Sequence, residues 1–309
     1  MNKIIEVQNV SKSFGKVMAI NDISFYVEKG SLFSFLGTNG AGKSTMISII
    51  LTLLKQDKGE ISVNGYTVGK NDHAIRKEIG VVFQESVLDS LLTVKENLHI
   101  RGSFYGLSKK ERTIAIEKVA EIVDCTSFLN QRYGKLSGGQ KRRADIARAL
   151  IHQPTILILD EPTTGLDAQN RKYIWEMIQQ LQQESNMTIF LTTHYIEEAA
   201  NSDFVVVMKE GSIITKGTPE QLKNTYSSHQ LSLTTNADND LREAFISEGI
   251  SFREEKQVFH IHLQETIDAI PILAKYEQSI TSFEVRMSSL DDVFISITGK
   301  DMVSSVRNR

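Results

Sequence analysis

Gly37-Thr38-Asn39-Gly40-Ala41-Gly42-Lys43-Ser44 constrains the fold of this 309-residue chain more than any other feature. It lies between a short apolar run, residues 31–36, and a segment, residues 45–54, that is apolar on nearly all sides. A buried strand, a Gly-rich loop and a buried helix are the expected order. Glycines let the backbone wrap close to phosphate oxygens, and a helix opening near Lys43 turns its free N–H groups and positive dipole end toward them. The loop from Gly37 to Ser44, with Thr45 behind it, therefore reads as a phosphate site. Lys43 is expected to reach the β- and γ-phosphates, and the Ser44 hydroxyl to ligate magnesium.

A second acid-bearing strand fits the same site. Residues 156–159 are Ile-Leu-Ile-Leu and end in Asp160-Glu161, which puts two carboxylates at the carboxyl end of a buried strand, where α/β sheets place ligands. Asp160 is the natural magnesium partner, and Glu161 the natural general base or water-positioning residue.

The rest of the chain divides in two. Residues 4–10 and 20–27 alternate as two antiparallel strands, and residues 74–151 read mainly as helix around a short strand at 79–83. Helices are expected near 95–105, 109–123 and 140–151, then at 168–184, with strands at 155–159 and 188–192. A polar, Ser-rich stretch at 224–229 reads as a linker. Beyond it, residues 230–300 give strand, helix, two strands, helix and strand, the βαββαβ order of a small ferredoxin-like α+β layer, then a short helix at 290–297. Residues 301–309 are expected to form a tail, and the α/β part with its helical insertion spans 1–223.

Composition narrows the function. A formal charge of −3 argues against a general nucleic-acid binder, although nucleotide needs only a few placed donors. The single cysteine, Cys125, permits no intrachain disulfide and reads as a buried small side chain. No stretch approaches the ~18 apolar residues of a membrane span, so any membrane role must run through a partner.

Leu136-Ser137-Gly138-Gly139-Gln140 resembles the signature of ATP-binding-cassette ATPases. Physically it is a second anion-binding helix start. The resemblance implies that the signature of one subunit closes over the nucleotide in the phosphate loop of another. It also implies roles in order along the chain: Gln84 as the residue that senses magnesium and attacking water, Gly165-Leu166-Asp167 as a loop at the dimer interface, and His194 as a switch contacting the γ-phosphate. Phe14 falls where the family stacks an aromatic ring on adenine, and Thr38 replaces a proline common in the loop.

The stretches 84–98 and 192–199, with Ser289-Leu290-Asp291-Asp292-Val293-Phe294, are similar to ATPase subunits of daunorubicin-type multidrug exporters. What this implies is an ATPase using ATP and Mg2+. It would pair with itself or a close relative and dock on separate membrane permease subunits at the cytoplasmic face. Neither nucleic acid nor direct membrane insertion is expected. The apolar stretch with Val87, Leu88, Leu91 and Leu92 is expected to help form the groove for the membrane partner. The alternatives are an importer subunit and a soluble cassette ATPase acting on ribosomes or DNA. Against the latter, the chain has one cassette, uninterrupted by a coiled coil. A regulator that does not turn over is disfavoured by the intact Glu161 and His194. His260 and His262 should share one strand face in the tail domain, with too few neighbours for a metal site.

Overall fold

The computed structural model describes residues 2–226, 229–235, 238–255 and 258–286. It divides into two compact units, Met1–Thr218 and Pro219–Arg309.

The first unit opens with β1 (Lys3–Phe14) and β2 (Val17–Glu28), paired antiparallel out to Phe14↔Val17. The two-residue turn needs positive φ, and Gly15 supplies it at 59°. Next come β3 (Leu32–Gly37), α1 (Lys43–Ile50), β4 (Lys58–Val63) and β5 (Tyr66–Thr67). β4 returns to the other edge of β1, which gives a four-stranded sheet in the order β2-β1-β4-β5. The helix expected over 45–54 stops at Ile50, because Thr52 takes φ 60° and Leu53 and Leu54 turn their N–H groups back to Ser48 O.

Then follow α2 (Asp72–Glu78), β6 (Ile79–Val82), α3 (Val94–Phe104), α4 (Lys109–Ile122) and α5 (Gly138–Leu150). Thr93, Ser108 and Ser137 cap the last three helices, each with a Glu or Gln three residues on completing a capping box. The unit is completed by β7 (Ile156–Asp160), α6 (Ala168–Ser185), β8 (Thr188–Thr193), α7 (Ile196–Ala199), β9 (Phe204–Lys209) and β10 (Ser212–Gly217).

A six-stranded sheet in the order β10-β9-β3-β8-β7-β6 is the centre of this unit, parallel except for edge strand β10. It is buried on both faces, and the alternation in β7 shows how. Ile156 and Ile158 enter a core shared with β1, β2 and α1, which includes Phe25, Phe33, Phe35 and Phe190. Leu157 and Leu159 enter a second core shared with α3 to α6, which includes Cys125. Strands covered on both sides read as continuous apolar runs, as β3 and β7 do.

In the second unit, α8 (Pro219–Tyr226) is followed by β11 (His229–Thr235), α9 (Asp238–Ser247), β12 (Phe252–Glu255), β13 (Val258–Leu263), α10 (Ala269–Lys275) and β14 (Ile280–Arg286). The antiparallel sheet runs β12-β13-β11-β14, so the four strands of the βαββαβ string lie in the ferredoxin-like order. Leu231, Leu233, Phe245, Phe259 and Ile261 fill its core.

Two boundaries of this unit differ from the sequence reading. Residues 224–226, polar enough to read as linker, continue α8. The helix expected over 266–276 splits into a 3-10 turn, Thr266–Asp268, and α10, whose Pro271 sits in the first turn where it removes no helix bond. The helix expected at 290–297 lies outside the described residues.

Candidate functional site

The phosphate loop leaves β3 and enters α1 through a close backbone approach. A Cβ on Gly37 would stand 2.6 Å from Met208 O, and one on Gly42, at φ 102°, 2.4 Å from Ala19 O. Side chains are excluded at both positions, which frees the loop to curl. Lys43 is buried, and its Nζ donates to Gly37 O (2.7 Å) and Thr38 O (3.1 Å) while lying 3.7 Å from Glu161 Oε1. Burial pulls the ammonium below its ordinary pKa, and the carboxylates of Glu161 and Asp160 pull the other way.

Asp160 and Glu161 arrive at the same place from β7. Burial raises the Asp160 carboxyl above the usual carboxylate range, opposed first by its bond from Thr192 Oγ1 (2.5 Å) and with the Ser44 hydroxyl alongside. Glu161 takes φ 47°, a left-handed conformation rare outside glycine and associated with functional sites. Its N–H donates to Thr192 O (3.1 Å) and Thr192 Oγ1 (3.2 Å). Its Oε2 accepts from Thr164 Oγ1 (3.1 Å) and lies 3.3 Å from His194 Nδ1, an ion-pair distance without hydrogen-bond alignment. The close imidazole is the largest influence on Glu161 and holds its carboxyl below the ordinary value against the effect of burial, with Lys43 assisting.

A cavity of about 520 Å³ opens here with Asn39, Gly40, Lys43, Ser44, Gln84 and Glu161 on its walls, while Asp160 and His194 lie behind Glu161 and are not themselves on the wall. Val17, Met18 and Ala19 of β2 complete one side. Phe14 is half exposed, paired across the hairpin with Val17 and 5.7 Å from Lys12 Nζ; it is not itself on the cavity wall. Nor are Ser137 to Gln140. Ser137 and Gly138 are exposed at the start of α5, where Ser137 Oγ accepts from Gln140 N–H (3.3 Å) and Gln140 Oε1 from Ser137 N–H (3.0 Å). The loop 165–167 and the first turn of α6 pack behind them: a Cβ on Gly139 would stand 2.0 Å from Asn170 Oδ1, and one on Gly138 3.4 Å from Leu166.

Sequence reasoning missed the side chains that hold the site. Thr192 reaches Asp160 because those two residues are partners in the β7–β8 register. Glu198, almost fully buried, accepts from Thr163, two residues past Glu161, and from Thr193 (2.5 Å), next to His194. One carboxylate thereby ties together the loops that carry Glu161 and His194. The only earlier signal was position, since Thr192, Thr193 and Glu198 flank His194.

A larger groove of about 640 Å³ lies elsewhere on the unit, lined by Leu51, Leu53, Arg76, Phe83, Val87 and Phe104 among others. Of the four apolar residues that the sequence reading grouped together, Val87 lines this groove and Leu88, Leu91 and Leu92 do not. Leu88 packs against the helical core instead, next to Asp89, whose backbone N–H and C=O are both held by the Asn97 side chain.

Comparison with known proteins gives the family. The chain is 34% identical to the linearmycin resistance ATP-binding protein LnrL of Bacillus subtilis over 97% of its own length and 99% of that protein's. The chain belongs to the ABC transporter family. Residues 20–164 match the family's ABC transporter domain, and residues 217–298 match the C-terminal domain of DrrA1-3-like ATP-binding proteins. The Nod factor export ATP-binding protein I of Burkholderia lata is 34% identical over 96% of the chain and 98% of that protein. Among solved structures, the dimeric post-hydrolysis state of the ATP-binding cassette MJ0796, bound to ADP and Pi, is 30% identical with a TM-score of 0.63, over 69% of this chain and 98% of that one. A second neighbour, cbiO1 from Clostridium perfringens, part of the ABC transporter complex cbiONQ, is 29% identical with a TM-score of 0.67 over 72% of this chain and 91% of that one. The first unit of this ABC protein is thus a nucleotide-binding ATPase cassette. No helix among its described residues is long and apolar enough to cross a membrane.

Proposed function

We propose that this chain is the ATP-hydrolysing subunit of an exporter. It works as one half of a nucleotide-sandwich dimer, docked on separate membrane-spanning subunits at the cytoplasmic face. The observation that carries the reading is the separation of two phosphate-binding helix starts. Lys43, Gln84 and Glu161 line one cavity, with His194 beside Glu161 and Asp160 preceding it at the end of β7, while Ser137 and Gly138 form an exposed second start away from it. A second copy supplies a natural use for the second start.

Each residue has a chemical task in this reading. The backbone of Gly37 to Ser44, followed by Thr45, cradles the phosphates, and Lys43 exchanges its loop carbonyls for β- and γ-phosphate oxygens. Ser44, Gln84 and Asp160 offer hydroxyl, amide and carboxylate oxygens, the hard donors that suit Mg2+. The ion, when bound, would neutralise charge on the β- and γ-phosphates. Glu161, kept ionised beside His194, orients the attacking water and takes its proton. His194, next to that carboxylate, senses the γ-phosphate. Phe14 with Val17 and Met18 forms an exposed apolar ledge suited to the adenine face. From a facing subunit, Ser137 to Gln140 and the loop with Asp167 close the site.

Full-length similarity to LnrL and to Nod factor export proteins, with a C-terminal domain of the DrrA1-3-like kind in this chain, supports export. We assign residues 1–223 as the cassette and 230–300 as an accessory domain that regulates or stabilises the dimer. The groove lined by Leu53, Val87 and Phe104 receives the membrane partner. Steady-state hydrolysis by the purified chain, lost in Glu161→Gln, combined with co-purification of membrane subunits from its host, tests the reading. Undiminished turnover in Glu161→Gln would falsify it.

A further inference from the structure

Arg142 is a buried cation that the scheme above does not use. It stands on α5, five residues beyond Ser137, and its guanidinium leaves the helix to reach the carboxyl ends of two strands. Nη1 donates to Phe83 O (2.8 Å), while Nη2 donates to Glu161 O (3.2 Å) and at 3.5 Å to Gln84 O. β6 and β7 are adjacent and parallel, with Val82 opposite Leu159, so one planar fork spans the points where both strands have just ended. There the ladder no longer satisfies the carbonyls, and the five fixed donors of an arginine can do so together. Asp145, one turn further along α5, faces the same interior and accepts from Ser86 Oγ (2.6 Å) and Tyr133 OH (3.2 Å). The neighbouring Arg143 pairs with Asp124 instead and lies over the Phe128 and Tyr173 rings.

Glu161 is the residue for which this matters most. A non-glycine residue at φ 47° keeps that conformation only where its surroundings over-determine it. Its N–H is held by Thr192 from β8, and its C=O by Arg142 from α5. The strained residue is therefore pinned on both sides, and the second pin comes from the helix that begins at the signature.

We propose that Arg142 is a positioning residue for hydrolysis: it sets the Glu161 carboxylate and the start of the Gln84 loop in fixed relation, and it transmits displacement of the signature helix into that site. The transmission rests on the reading that Ser137 serves a nucleotide held by the facing subunit. A pull on Ser137 from across the dimer then moves α5, and the fork carries the movement to Glu161 and Gln84 of the chain's own site. Two nucleotides become linked through one side chain in each subunit.

The test compares Arg142→Lys and Arg142→Gln with Arg143→Lys and Glu161→Gln in the full chain, by kcat, KM, equilibrium ATP affinity and thermal melting. Lysine keeps the charge near Asp145 but cannot span three carbonyls, and glutamine keeps one amide donor without the charge, so whichever variant folds decides the matter. The expected result is a fall in kcat of about ten- to hundredfold, the scale of a small misplacement of a catalytic group. ATP affinity should stay within about threefold, because an interaction that matters only in the transition state leaves ground-state binding alone. Arg143→Lys should stay within about twofold of wild type in kcat, because none of its partners, Asp124, Phe128 and Tyr173, is on the cavity wall. A folded Arg142 variant with unchanged kcat overturns the proposal, and so does a loss of ATP affinity equal to the loss of kcat. Glu161→Gln separates the two readings. If it is inactive while the Arg142 variants turn over normally, only the role of Arg142 falls; if it remains active, the assignment of the site falls with it.

Discussion

Nδ1 of His194 stands 3.3 Å from Oε2 of Glu161, and this approach is the largest influence holding that carboxyl below its ordinary pKa. Burial alone would raise it, so the histidine decides how far into acid the base stays ionised. His194→Ala should shift the acid limb of the pH–rate profile upward and lower kcat by about a hundredfold, the usual contribution of a positioned acid–base group. An acid limb that does not move in the mutant would show that the two side chains are neighbours without a shared task.

Lys43 makes two hydrogen bonds to its own loop and lies 3.7 Å from Glu161 Oε1, so its charge is placed before any nucleotide arrives. Lys43→Ala removes the one mapped full positive charge on the β- and γ-phosphates. Hydrolysis should become undetectable and ATP binding should weaken by about 1.5–3 kcal/mol, the worth of a charged hydrogen bond. Calorimetric titration of the purified mutant measures this, and wild-type affinity would remove the role given to the lysine.

Phe104 and Val87 are 73% and 59% exposed on the walls of the larger groove, unusual for residues of this type unless something covers them. Phe104→Asp and Val87→Asp should leave stability within about 0.5 kcal/mol, since neither side chain is packed. ATPase activity of the soluble chain should also persist. What should fall, by about tenfold or more, is the fraction of the chain retained on washed membranes of its host, as expected when a contact central to an interface is lost. Retention equal to wild type would move the docking surface elsewhere.

How much of this was legible beforehand follows the range of the interactions. Gly37 to Ser44 and Asp160-Glu161 are contiguous, so residue type and flanking pattern were enough to find them. The capping box of Ser137 and Gln140 is equally local. The groups that hold the Glu161 backbone from a distance are Thr192 on β8 and Arg142 on α5, and they emerge only from the register that puts Asp160 opposite Thr192 and from the packing of α5. Leu88 shows the same limit in reverse: it belongs to an apolar stretch, but the chain at Asp89, held by Asn97, leaves it packed on the helical core and off the groove. The tail was readable as βαββαβ because its strands alternate. The last helix expected there, at 290–297, falls outside the described residues.

His152 gives the fold a dependence on pH that is separate from the active site. Its ring stacks on Tyr105 with centroids 3.9 Å apart, and its Nε2 lies 3.2 Å from Ile79 O, so the neutral ring must carry its proton there. Burial pushes it down to about 4, with Arg101 and Arg148 adding to the shift. A histidine whose folded pKa is depressed contributes stability that is whole above its unfolded value near 6.5 and is lost as pH falls toward the folded one. The loss should approach about 3 kcal/mol by pH 4. His152→Phe keeps the stack and removes the titration, so its denaturant midpoint should fall less steeply between pH 6.5 and 4. Parallel curves for mutant and wild type would mean that some other group carries the acid sensitivity.

Ser137 and Glu161 are assigned to different nucleotides although one chain carries both, and that division can be tested in a single pair of mutants. Glu161→Gln removes the base and one negative charge near the γ-phosphate while keeping the side chain's size, so ATP should stay bound and the closed pair should accumulate. In size-exclusion chromatography with light scattering, the mutant should run as a monomer without nucleotide and as a dimer with ATP. Ser137→Arg, added to Glu161→Gln, puts a long side chain at an exposed helix start that must approach phosphate oxygens. It leaves the cavity walls of its own chain untouched. ATP should therefore still bind the double mutant while the dimer disappears, and the difference between single and double mutants is the readout, because an isolated cassette can pair weakly without its membrane partner. Equal dimer fractions in the two at saturating ATP and low protein concentration would sink the nucleotide sandwich, and with it the route by which α5 could carry a signal to Glu161.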